Sequence, residues 1–399
     1  MPEKQEQAVV SLAACPGYEA SRIEPAFLQV LAGIGWDLSQ FAGRTVALKP
    51  NLLTKSSVEQ AIVTHPAVFR AAVRIVKRHG GRPVLIESPA IHPLEAVMRK
   101  TGYDAIAREE GCRIADARCT AVVRYEAGRR YRSFEVIREL LDADIVLNLP
   151  KFKTHSLTYV TGAVKNLFGL VPGLAKARWH LKTRSRSEFA DFLLDLYEVL
   201  LNGFVKPKVW LHVVDAVVAM EGEGPGTGGR PRPVGALLAG TDAVAVDAVA
   251  VRLVGFDPGR VRTVTAAEER GLGVAAPPRI RLTGAALQDF RVPDFVPPRG
   301  ADGSDRLPLL TRLLTGSRLK YLFVDRPVPA ADRCTLCGQC ATVCPAGAIR
   351  MPGRGAGAPV YDYGKCVGCL CCLEICPAGA VYVKKGVLQR LLSSRRRGQ

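Results

Sequence analysis

Residues 334 to 345 read CTLCGQCATVCP and residues 366 to 377 read CVGCLCCLEICP, so the spacing C-x2-C-x2-C-x3-C-P occurs twice, 32 residues apart. Nine of the twelve cysteines lie in these runs, eight of them at the positions of the repeated spacing. A two-residue gap lets three successive thiolates wrap one corner of an iron–sulfur cubane, and the fourth cysteine, beside proline, leaves that turn and reaches the other cluster. The chemistry this predicts is one-electron transfer by two [4Fe-4S] clusters. Cys334, Cys337 and Cys340 take their fourth ligand from Cys376, Cys366, Cys369 and Cys372 take theirs from Cys344, and Cys371 is spare. Structural zinc calls instead for paired C-x2-4-C knuckles with a longer gap and no third cysteine two residues on. A disulfide framework does not suit a chain of 399 residues with no credible export signal.

Outside the cysteine runs, polar residues directly after apolar runs carry the remaining chemistry, because ligands of open α/β sheets gather at the carboxyl ends of strands. Lys49-Pro50-Asn51 is one such place, with Thr64-His65-Pro66 opening the next helix. The densest follows DIVLNLP: Asn148, Lys151, Lys153 and His155, then Lys165-Asn166 after Gly162. The third is Asp215 at the end of WLHVVD, followed by Glu221, Glu223 and a glycine-rich loop. Two lysines and a histidine after an apolar strand read as an anion site. His155 titrates nearest neutral pH and is the first candidate proton donor, with Lys151 and Lys165 beside it as catalytic candidates. Lys49, Asn51, His65, Lys153, Asn166, Asp215 and Glu221 are the candidate substrate-binding residues. His65 reads equally as a helix cap and Asp215 as a turn cap.

GEGPGTGG, residues 222 to 229, contains G-x-G-x-x-G, but Arg230-Pro231-Arg232-Pro233 follows where a dinucleotide fingerprint needs a helix. A flexible lid, a substrate loop or an irregular surface loop is expected instead. Cys112 and Cys119 read as buried small hydrophobes.

Positioning these residues takes alternating strands and helices. Strands are expected over 44–50, 82–86, 144–149 and 209–215, and helices over 65–79, 94–109, 189–201 and 243–254. Such alternation predicts an α/β domain with a mostly parallel sheet. Residues 277 to 308, rich in Pro, Gly and Asp, hold the linker. The domains are then 1–290, a large α/β domain; 291–325, linker with an amphipathic helix over 307–322; 326–385, a small α+β bacterial-ferredoxin-like domain; and 386–399, a basic tail with Arg395-Arg396-Arg397 at a solvated end.

The composition, 48% hydrophobic and 23% charged, fits one large and one small soluble domain. The net charge of +18 is either spread over solvated faces or attracts anions. Lys176, Arg178, Lys182, Arg184 and Arg186 fall within eleven residues, with Trp179 and His180, as a mobile basic loop near a phosphate or carboxylate would. No nucleic-acid-binding pattern is present. Leu12-Ala13-Ala14-Cys15 has the look of a lipid-attachment box, but only Ala8 to Leu12 could serve as the apolar core of a signal, and Val9, Val10 and Leu12 read better as a first strand. No run approaches a membrane span, and a cytoplasmic location is expected. From Asp332 to Lys385 six basic residues face three acidic ones, which suits an acidic donor such as a ferredoxin or flavodoxin.

LNLPKFKTHSLTYVTGAVKNLFGLVPG, with VALKPNLL and THP before it and VDAVVAMEGEGPGTG and AGTDAVAVDAVA after it, resembles the family called domain of unknown function 362, over roughly residues 5 to 290. A carboxy-terminal pair of ferredoxin-type clusters is a common companion in that family. The resemblance marks Lys151, Lys153, His155, Lys165, Asn166, Asp215, Glu221, Asp242 and Asp247 as family-pattern residues. It implies an iron–sulfur protein and supplies no substrate. Asp242 and Asp247 read as a helix cap and a buried structural acid. The expectation is a reductase-like oxidoreductase acting on an anionic substrate. The alternative is a non-catalytic electron-carrier subunit or redox sensor docked on a larger enzyme.

Overall fold

The structure is a computed structural model that describes residues 7–183, 185–290, 292, 294–298, 325–353, 357–384 and 386. Arg184, the helix expected over 307–322 and the arginine tail lie outside the described residues.

The strands are β1 (Ala8–Ala14), β2 (Thr45–Pro50), β3 (Arg82–Leu85), β4 (Arg113–Ile114), β5 (Thr120–Arg124), β6 (Ser133–Ile137), β7 (Ile145–Leu149), β8 (Lys151–His155) and β9 (Tyr159–Thr161). They continue as β10 (Val209–Gly222), β11 (Gly229–Gly240), β12 (Ile280–Gly284), β13 (Arg326–Pro329), β14 (Ile349–Arg350), β15 (Val360–Tyr361) and β16 (Val381–Lys384). The α-helices are α1 (Ala20–Gly33), α2 (Pro66–Arg78), α3 (Leu94–Thr101), α4 (Tyr103–Glu109), α5 (Glu139–Asp142) and α6 (Ala163–Asn166). After them come α7 (Gly173–Lys182), α8 (Arg186–Asn202), α9 (Ala243–Leu253), α10 (Arg262–Glu269), α11 (Gln339–Val343) and α12 (Cys371–Ile375).

A ten-stranded sheet runs β12-β1-β11-β10-β7-β2-β3-β4, with β8 and β9 attached beside β10. Most of its pairings are parallel, so the α/β expectation holds. Its central strands are apolar throughout because both faces are covered. In β7, Ile145 and Leu147 join the core under α1 and α2, while Val146 joins the one under α8 and α9. α2 starts where His65 caps it, the ring Nδ1 accepting from the Ala67 N–H, and stops at Gly80, whose φ of 75° a side chain would resist.

Four sequence expectations needed correction. The helix over 94–109 is broken into α3 and α4 at Gly102. Residues 151–155 form a buried strand, not a loop after one. β10 runs seven residues past Asp215, beyond the end of β7, and its backbone groups there need a partner. β8 meets this with Asp215 opposite Lys151 and Met220 opposite Lys153. Part of the presumed linker, Ile280–Gly284, is an edge strand parallel to β1. Of the basic stretch expected as a loop, Lys176, Arg178 and Lys182 lie on helix α7 and Arg186 opens α8.

In the carboxy-terminal region β13 pairs with β16 and β14 with β15, and α11 packs on α12. Their small core gathers Ile349, Tyr361, Leu370, Leu373, Val381 and Val383 around Cys340 and Cys372. Among the described residues no helix is long and apolar enough to cross a membrane.

Candidate functional site

The cysteines surround two cavities. One is lined by Cys334, Cys337, Cys340 and Cys376, the other by Cys344, Cys366, Cys369, Cys372 and Cys371. Each of the four-cysteine sets expected from the spacing therefore lines one cavity, which fits a cubane in each. Among the described residues no three His, Cys, Asp or Glu stand close enough to hold a single metal ion. A cubane spreads its thiolates more widely than that.

The cysteine domain is seated on the sheet at the ends of β8 and β10. The glycine-rich turn between β10 and β11 reaches it, and Thr227 donates to the Cys376 carbonyl at 2.5 Å. A side chain at Gly226 would run into the Glu374 backbone, so glycine is what lets the two backbones meet. The Gly224 carbonyl accepts from Ser156 N and Oγ, tying the turn to the β8–β9 connection. This turn is a joint between domains, which replaces the lid or substrate loop expected from its sequence.

Glu374, midway between Cys372 and Cys376, points into the joint. His155 Nδ1 faces the N–H groups of Leu157 and Thr158, so the ring proton sits on Nε2, 3.1 Å from Glu374 Oε1. Burial pushes His155 down to about 4, leaving it neutral near pH 7. The expectation that it titrates near neutrality is thus not met. Burial raises Glu374, but His155, Lys165 and His180 outweigh it and hold the carboxyl at about 2.

Near Glu87 and Glu374 lie lysines in three different states. Lys49 is paired, Nζ lying 2.7 Å from Glu87 Oε2 and 2.7 Å from the Pro50 carbonyl. Lys153 donates to Asn51 Oδ1 at 2.7 Å and the Ile62 carbonyl at 2.6 Å, both neutral. Lys176, on α7, donates to the Ser88 carbonyl. Lys165 is half-buried and makes no hydrogen bond among the described residues; its electrostatic neighbours are Glu374 and Cys371. Burial lowers all four ammonium groups from their ordinary range, Lys176 to about 8. An amide chain holds the floor: Asn51 Nδ2 donates to Asn166 Oδ1, Asn166 Nδ2 to Asn148 Oδ1 and the Lys49 carbonyl, and Asn148 Nδ2 to the Ala163 carbonyl.

Lys151, His65 and Asp215 form a separate, closed group. Lys151 Nζ lies 2.9 Å from Asp215 Oδ2 and 2.6 Å from the Tyr18 hydroxyl, which itself donates to Asp215 Oδ1. The His65 N–H donates to Asp215 Oδ2, and the Tyr18 and His65 rings stack at 3.5 Å. Asp215 is the hub of a buried ion pair more than a turn cap. Glu221 belongs to neither group, since it pairs with Arg230 and accepts from the Val296 N–H. Asp242 caps α9 and Asp247 accepts from the Ala163 and Val164 N–H groups, the roles expected of them. Cys112 is buried as expected; Cys119 is exposed. Sequence reasoning missed Tyr18, Glu87 and Glu374. Glu87 alone carried a signal, as a polar residue just past an apolar strand.

Residues 46–252 match the family described as domain of unknown function (DUF362), and residues 333–380 match the 4Fe-4S dicluster domain. The chain belongs to the DUF362 family and carries an iron–sulfur electron-transfer domain at residues 333–380. It is 32% identical over 276 residues to the thylakoid-associated protein sll1697 of Synechocystis sp. (strain ATCC 27184 / PCC 6803 / Kazusa), covering 67% of this chain and 81% of that protein. Among solved structures, the lactate racemase apoprotein from Thermoanaerobacterium thermosaccharolyticum is similar at a TM-score of 0.35 and 13% identity. That similarity covers 54% of this chain and 52% of the racemase, about half the length of each.

Proposed function

We propose that this protein is a reductase-like oxidoreductase of a reducing compartment such as the cytoplasm, with two [4Fe-4S] clusters and an anionic small-molecule substrate held at the joint between its domains. The clusters supply one-electron transfer. The observation that carries the reading is the state of Lys153, Lys165 and Lys176: the first and third buried and Lys165 half-buried, Lys153 and Lys165 beside Glu374, and none bonded to a carboxylate among the described residues. Buried cations outnumbering the carboxylates near them are costly, so this group marks a place made for an anion. Lys165 orients the substrate and is the proton source, because desolvation makes its ammonium a stronger acid than an exposed lysine. His155 acts as a positioning residue by presenting Nε2–H to Glu374. Lys151, with its charge already matched, holds the strand in place. An acidic one-electron carrier docks at the exposed Arg333, Leu336 and Cys337.

The closed joint, with Thr227 bonded to the Cys376 backbone, favours the second reading, a carrier subunit without chemistry of its own. Thermal unfolding of the anaerobically purified protein with a panel of carboxylates and phosphates separates the two. The first reading expects at least one anion to raise Tm in the native chain and not in K165M, since a ligand of the folded state must stabilise it. If no anion does so, the carrier reading stands.

A further inference from the structure

The two cysteine runs are built alike down to the amides that face their sulfurs. The Ala348 N–H donates to Cys344 Sγ at 3.2 Å, and the Ala380 N–H donates to Cys376 Sγ at 3.2 Å. Five residues before the first cysteine of each run the likeness ends, with Pro329 in the first run and Tyr361 in the second. Pro329 has no hydrogen to donate and lines the cavity of Cys334, Cys337, Cys340 and Cys376 alone. The longer Tyr361 lines both cavities and is a wall shared between them. It belongs to the same small core as Cys340 of one set and Cys372 of the other, and is 8% exposed. Its ring stacks on Tyr363, but its hydroxyl is sealed from water and meets no hydrogen-bond partner among the described residues. A buried phenol is costly without an acceptor, and the acceptor that a cubane brings to this wall is sulfur.

We propose that Tyr361 donates its hydroxyl hydrogen to a sulfur of one of the two cubanes and thereby raises the reduction potential of that cluster and not of the other. The proposal rests on the two-cluster part of the function above and on no particular substrate. The matched amides at Ala348 and Ala380 cannot tell the clusters apart, whereas a phenol has one hydrogen and serves one sulfur at a time. Reduction adds one negative charge to a cubane, and a hydrogen bond strengthens with the charge on its acceptor. The donor therefore favours the reduced state of the cluster it serves.

The test is a redox titration followed by EPR on the anaerobic full-length holoprotein, native and Y361F, with iron counted in both. Y361F keeps the ring and removes the donor, so one midpoint should fall by about 59 mV, a tenfold change in that cluster's reduction constant, and the other should stay where it was. Pulsed EPR after exchange into heavy water reads the hydrogen bond itself: the native protein should show one more exchangeable proton coupled to a reduced cluster than Y361F does. Y361L serves if Y361F loses its clusters. Two unchanged midpoints with both clusters present overturn the proposal, and so does an equal fall of both, which would mark altered water access instead. One cluster's worth of iron in the native protein overturns the underlying two-cluster reading, and the proposal with it.

Discussion

Lys151 and Lys153 stand two residues apart on β8, face the same side of the sheet and are equally withdrawn from water, at 2% and 1% exposed. Lys151 meets a carboxylate, and Lys153 meets an amide and a carbonyl. The first group, with Asp215, Tyr18 and His65, closes its own charge and acts as a structural rivet. The second, with Lys165 and Lys176, leaves charge unmatched beside the cluster domain. One strand thus serves stability at one end and binding at the other, and the deciding property is the partner, not the lysine.

Acid strains both groups and should give the largest effect. Burial lowers His65, His155 and His180 to about 4 and His212 to about 3, all from an ordinary 6.5. Between those values the unfolded chain binds more protons than the folded one, so stability falls as pH drops from 6.5 toward 4. A folded pKa one pH unit below the unfolded value is worth about 1.4 kcal/mol, so the loss over the buried rings reaches several kcal/mol. Urea unfolding at pH 7, 5.5 and 4.5 checks this, and a flat profile would contradict the buried neutral histidines.

Next in size, D215N should cost about 3–5 kcal/mol, because it strands the Lys151 charge in the interior. A loss under ~1 kcal/mol would place Lys151 and Lys153 in the same class after all. K153M should cost less, about 1–3 kcal/mol for the acceptors left at Asn51 and Ile62. It should also abolish the anion-dependent rise in Tm; retention of that rise would remove Lys153 from the binding group. Smallest is E221Q, where Arg230 is largely exposed. It should change stability by less than ~1 kcal/mol and leave the anion response intact; losing that response would return Glu221 to the site.

Much of this was legible in the chain. β2, β7 and α2 follow from apolar runs and helical spacing, and the cysteine sets follow from their gaps, because one element's own period or a rigid cofactor geometry dictates them. β8 was not legible, since lysine and histidine on every second residue look like a solvated edge until the extension of β10 makes that edge interior. Glu374 was hidden for a different reason. It lies inside a run whose cysteines explain the run completely, and its partner His155 comes from more than two hundred residues earlier. The charge state of each lysine likewise depends on which distant acceptor the fold brings to it.

The hub at Asp215 also bears on how the chain assembles. Its carboxylate takes donors from residues 18, 65 and 151, so it is complete only when β1, β2, β8 and β10 are all in place. Contacts of such long sequence separation come at the cost of closing large loops and form late. The rivet is then absent from the folding transition state, and its strength should appear in how slowly the protein unfolds, not in how fast it folds.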